Sequence, residues 1–151
     1  MHEMYFGIKW LHIIGACIGF GSNVTHLFWI LSANRDPMNR ANILRLVKKI
    51  DDYMAIPAYI VTISAGMTMW LWKWPTNTSW IVVSLILSTV LTLMGISFGP
   101  FMKRWIRMAR EHPDDTLTLT TWSRRLTIWW AAIAGSVFVI IFLMVRKPML
   151  W

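Results

Sequence analysis

The chain has 151 residues, 56% of them hydrophobic, and a mean hydropathy of +0.50. That load, with 11 Trp and 11 Met, excludes an ordinary soluble domain and makes the chain an integral membrane protein in one domain, residues 1–151. The net charge of +8 does not point to nucleic acid, because the basic residues flank the apolar runs, where they suit anionic headgroups and orientation signals.

Four spans are predicted, at about residues 5–31, 53–72, 80–102 and 126–145, each able to cross ~30 Å of hydrocarbon as a helix. The first is interrupted by Lys9, His12, Asn23 and His26. Its start, His2-Glu3, is not basic and no small-residue cleavage pattern follows, so this helix is expected to be its own targeting signal. Cys17 within it excludes an intramolecular disulfide or a cysteine-based metal site, and reads as a small buried hydrophobe. The loop at 32–52 carries Arg35, Arg40, Arg45, Lys48 and Lys49. Ile43, Leu44, Val47 and Ile50 recur there at helical spacing, which predicts an amphipathic helical extension. Asp51 and Asp52 read as N-terminal caps of the second span, and Pro57 as a first-turn proline.

A short turn, 73–79, contains Asn77-Thr78-Ser79, a formal glycosylation sequon too close to the membrane to be used. Pro100 falls near the end of the third span, which is predicted to continue beyond the membrane until His112-Pro113-Asp114-Asp115 stops it. The loop at 103–125 carries Lys103, Arg104, Arg107, Arg110, Arg124 and Arg125, so eleven of the 15 basic residues lie on one side. The positive-inside rule makes that side cytoplasmic and both termini periplasmic. The fold class is therefore all-α: an integral membrane four-helix bundle with helical extensions in its two cytoplasmic loops.

The first span also carries the candidate chemistry. His12 and His26 are separated by fourteen residues, which at ~100° and ~1.5 Å per residue leaves them ~40° apart around the axis and ~21 Å apart along it. Two axial ligands, one for each of two stacked b-type haems, would be spaced in this way. Gly15 and Gly19 on the same face would let a flat macrocycle approach the backbone, and Lys9 could pair with a propionate. Each feature has a structural reading as well. Gly15-x-x-x-Gly19 is a common device for packing membrane helices, the histidines could donate to a hydroxyl or carbonyl on a neighbour, and Lys9 could snorkel. His2 and His112 lie near surfaces and read as solvated. No Cys-x-x-Cys-His is present, so c-type haem is excluded. The other spans hold no histidine, so each haem would need a Met or another chain's His as second ligand. No membrane-embedded acid suggests a proton- or cation-coupled transporter.

Several short stretches carry a family resemblance: Lys9-Trp10-Leu11-His12, Asp51-Asp52-Tyr53-Met54-Ala55-Ile56-Pro57-Ala58 followed by Gly66, Ser79-Trp80, Ser84-Leu85, and Met144-Val145-Arg146-Lys147-Pro148. Together they resemble a family of small predicted bacterial integral membrane proteins bearing a domain-of-unknown-function label. The resemblance implies four helices and inner-membrane residence, without an activity. A weaker resemblance, at His12, His26 and Pro57-Ala58, reaches the HemJ-type protoporphyrinogen oxidases and CopD-like proteins; the HemJ type is associated with b-type haem. Residues 80–102 lack the polar signature that the HemJ pattern has in its third helix. The leading expectation is a b-haem-binding or redox-associated electron-transfer subunit using His12, His26, Gly15, Gly19 and Lys9. The alternative is a haem-free accessory or assembly subunit that works with other membrane subunits or as a homo-oligomer, and a HemJ-like oxidase ranks third.

The charge bias generates a topology test. Reporter fusions after Arg40 and Arg110 are expected to read as cytoplasmic and a C-terminal fusion as periplasmic; a cytoplasmic C-terminus would overturn this orientation.

Overall fold

The computed structural model describes residues 2–112 and 114–149, apart from the side chains of His2 and Thr116. Pro113, part of the expected helix stop, and the expected solvation of His2 fall outside that description. All regular structure among the described residues is helical: α1 (His2–Arg35), α2 (Arg40–Ile50), α3 (Ile56–Lys73), α4 (Ser79–Glu111) and α5 (Thr116–Arg146). Four helical stretches are long and apolar enough to cross a membrane, with α2 and α3 counted as one continuous stretch. The chain is thus a four-helix membrane-spanning bundle.

Each stretch exceeds what the bilayer needs. The 34 residues from Arg40 to Lys73 extend ~51 Å, against ~30 Å of hydrocarbon. The polar surplus gathers at one end, where the expected extensions fold as helices. There Leu44 and Val47 of α2, Met102, Trp105 and Ala109 of α4, Leu119 and Leu126 of α5, and Ala33 of α1 form a buried core. A smaller cluster of Ile30, Trp130 and Ile133 joins α1 to α5. Around the bundle α1 packs on α2, α3 and α5, and α4 packs on α2 and α5, while α3 and α4 meet only briefly. Hydroxyls along the spans are satisfied locally: Ser22, Thr62, Ser84, Thr89, Ser97 and Ser136 each donate to the carbonyl four residues earlier.

Two sequence expectations need correction. Asp51 and Asp52 do not cap a helix start, because the backbone runs without a break from α2 through a π-helical turn, Asp51–Ala55, into α3. The turn answers Pro57, whose ring in an uninterrupted α-helix would meet the Tyr53 carbonyl. Widening to i→i+5 bonding, with the Ile56 N–H donating to the Asp51 carbonyl, relieves that crowding. Asp52 instead pairs with Lys48 one turn back. Cys17 is exposed rather than buried, so it belongs to the outward face of α1. The third span continues beyond Pro100 as expected, with α4 running to Glu111. The side chain of Asp115 caps α5 by accepting from the Thr118 N–H at 3.2 Å, and hydrogen bonds from the Thr118 side chain and then its backbone hold the carboxyl below the usual range.

Asp51 sits just before the second apolar stretch, and burial raises its carboxyl to about 6; Lys48 opposes the rise and Asp52 adds to it. A carboxyl raised by folding binds more protons in the folded state between its unfolded value of about 3.9 and its folded one. Stability is therefore expected to fall as pH rises from about 4 to about 6, by at most roughly 3 kcal/mol, and to level off above. Asp51→Asn removes this slope in thermal melts of the detergent-solubilised protein; an equal slope in both proteins would exclude Asp51 as its source.

Candidate functional site on the first helix

Side chains facing α3 leave α1 at His12, Gly15, Gly19 and Asn23, spaced by three or four residues along one helical face. The two helices run antiparallel, so rising positions on α1 meet falling positions on α3. His12 Nδ1 lies 2.7 Å from the Thr62 carbonyl oxygen. A carbonyl only accepts, so Nδ1 carries a proton and, in the corresponding neutral tautomer, the lone pair is on Nε2. Opposite the ring is Gly66, where a β-carbon would come within 2.9 Å of His12 Cε1.

Gly15 is the tightest point. A β-carbon there would lie 2.5 Å from Thr62 Oγ1 and 2.9 Å from the Ala58 carbonyl oxygen. At Gly19 it would lie 2.9 Å from the Tyr59 ring, and the Tyr59 hydroxyl accepts from the Asn23 amide. The glycine face expected to admit a macrocycle is thus filled by α3, as the helix-packing alternative requires. Its counterpart on α3 is Ala58-x-x-x-Thr62-x-x-x-Gly66, a ladder of small residues at the same spacing. Residue-by-residue reading of the sequence misses Tyr59 and Thr62; the signal that could have found them is that matching ladder.

His26 turns to a different neighbour. It is 0% exposed, and its ring meets Trp130 of α5 edge-on, with centroids 4.7 Å apart. Neither His26 nitrogen has a hydrogen-bond partner, and the Trp130 indole N–H is unpartnered too. An unpaired buried polar group costs about 1–3 kcal/mol, so this imidazole is the least satisfied group on α1. The structure therefore does not bring the two histidines onto one shared surface: His12 faces α3 and His26 faces α5. Lys9 is exposed and has no ion-pair partner among the described residues. No group of three or more His, Cys, Asp or Glu among the described residues could hold a metal ion.

A family model described as a predicted integral membrane protein (DUF2269) matches residues 6–148. No curated protein matches, and no solved structure does.

The α1–α3 seam predicts a graded response to a single added methyl. Gly15→Ala meets the backbone of α3 and is expected to destabilise by about 1–3 kcal/mol, while Gly19→Ala meets a ring that can shift and costs less. Gly7→Ala meets nothing within 4 Å and serves as the neutral control. Thermal melts in one detergent rank the three; equal midpoints for Gly15→Ala and Gly7→Ala would contradict the packing.

Proposed function

The chain belongs to the DUF2269 family of predicted integral membrane proteins, and on that premise we propose that it is a redox-associated bacterial inner-membrane subunit whose His12 ligates a b-type haem at an interface with another chain. The observation that carries this reading is the His12–Thr62 hydrogen bond. Histidines that bind iron or other metals commonly donate the other ring N–H to a backbone carbonyl, which fixes ring orientation and raises the basicity of the ligating nitrogen. Here Nδ1 makes that donation, so Nε2 is the nitrogen left to ligate. The half-buried position of His12 lets it be shared with a partner.

The fit is partial. The face between α1 and α3 has no room for a macrocycle, so the group would lie on the outward side of the pair, with Lys9 one turn away as the cation for a propionate. Bound there, a haem supplies one-electron transfer. The chain's own contribution is to orient His12 through Thr62 and to exclude water with apolar neighbours. His26 is a weaker candidate ligand, because Trp130 covers it and would have to move. The second ligand would come from another membrane subunit or a second copy. The reading keeps the basic loops cytoplasmic and both termini periplasmic.

A haem-free accessory subunit is the second reading. It is favoured by the filled glycine face, since a histidine bonded across a tight helix pair is also a packing residue.

A reduced-minus-oxidised spectrum of protein purified from its native membrane separates the two. The haem reading expects a b-type α-band that His12→Ala abolishes and His26→Ala retains. Absence of haem from the wild-type preparation would overturn it in favour of the accessory role.

A further inference from the structure

At the end of the bundle that gathers the basic loops, the last turn of α1, the start of α2 and the early turns of α5 border an open cavity of about 180 Å³, lined by Asn34, Arg40, Thr120, Ser123 and Arg124. Arg40 is the unusual member. It is only 5% exposed, although arginine is almost never buried without a partner. Its Nε donates to the Ala33 carbonyl at 3.1 Å, satisfying one of the carbonyls left open at the end of α1. Its Nη1 is buried and has no hydrogen-bond partner. No carboxylate lines the cavity, and the ion pair found among the described residues, Lys48–Asp52, lies elsewhere.

The remaining lining side chains carry groups that can donate, although most of the exposed lining surface is apolar. The Ser123 hydroxyl donates to the Asn34 side-chain oxygen, leaving the amide hydrogens of Asn34 as donors. Arg124 brings a second guanidinium. Arg40 is also the first residue of α2, so backbone N–H groups of that helix and its positive dipole end are close by. Two arginines line one pocket, and a buried guanidinium N–H without an acceptor is unfavourable. An anion supplies the acceptor. The cavity is large enough for several waters and hence for a small tetrahedral oxyanion. Guanidinium forks match phosphate oxygens in particular.

We propose that this cavity binds a phosphate group, supplied either by an anionic lipid headgroup or by free phosphate. The site is independent of the haem reading. The basic loops that surround it flank the spans, at the depth where lipid phosphates lie.

The full-length protein in a neutral detergent is titrated with dioctanoyl phosphatidylglycerol, dioctanoyl phosphatidylcholine and inorganic phosphate, with the thermal midpoint as readout. A midpoint raised by phosphatidylglycerol more than by phosphatidylcholine assigns the site to an anionic lipid. A midpoint raised by inorganic phosphate, with no response to phosphatidylglycerol, assigns it to a free anion. In either case Arg124→Gln weakens the effective ligand about tenfold. Arg40→Gln weakens it at least as much, and also lowers the ligand-free midpoint by uncapping α1. No response to either anion, or an unaltered response in Arg124→Gln, overturns the proposal.

Discussion

Close approach of α1 and α3 sets the geometry of the membrane-embedded half of this protein. Gly15 lies where any β-carbon would strike Thr62 and the Ala58 carbonyl, so the helices can meet only because both present small residues at matched spacing. Lipid tails are as apolar as leucine, so burying leucine gives little drive to associate inside a bilayer, and tight packing with hydrogen bonds must supply it. The seam has both: the Thr62 carbonyl accepts from His12 and the Tyr59 hydroxyl from Asn23. These contacts orient His12, remove the glycine face from any ligand and leave the opposite side of the pair open. Whatever His12 does beyond packing, it does from an orientation fixed by this seam.

The other half of the molecule follows a different rule. Where the helices leave the hydrocarbon, water restores the hydrophobic effect, and a core resembling that of a soluble protein forms around Trp105, Leu44 and Leu126. Within the spans, by contrast, Ile60, Leu71, Ile86, Leu93 and Ile96 point outward toward lipid or a partner. Arg40 stands between the two regimes. It is buried, its Nε closes the end of α1, and it lines the neighbouring cavity.

The parts of this fold legible in the sequence are those that local patterns specify. Hydropathy marks the four spans, and the helical spacing of Ile43, Leu44, Val47 and Ile50 marks α2. The π-helical turn is not legible, because Asp51-Asp52 followed by Pro57 is the same local signature that opens a fresh helix. In the fold α2 and α3 run on through that turn and pack on a common neighbour, α1. Gly15-x-x-x-Gly19 reads equally as a packing device or a cofactor face, and the choice lies in residues about forty or more positions away. The contrast between His12 and His26 is hidden for the same reason: their periodicity puts them near one face, but Thr62 and Trp130 arrive from different helices. Exposure of Cys17 likewise depends on where α3 and α5 stop covering α1, which composition does not encode.

The composition of the core outside the hydrocarbon bears on how the protein is made. Spans emerge from the translocon in order, and α1 and α3 precede α4 and α5, so their seam can close as soon as both are in the bilayer. The core cannot, because Leu119 and Leu126 belong to α5, which follows the other helices that build it. Until α5 arrives, the apolar faces of α2 and of the α4 extension remain open to water and to any chaperone or protease that surveys exposed hydrophobic surface. The chain order therefore lets one pair close early in lipid, while the core in water can close only once α5 has joined it.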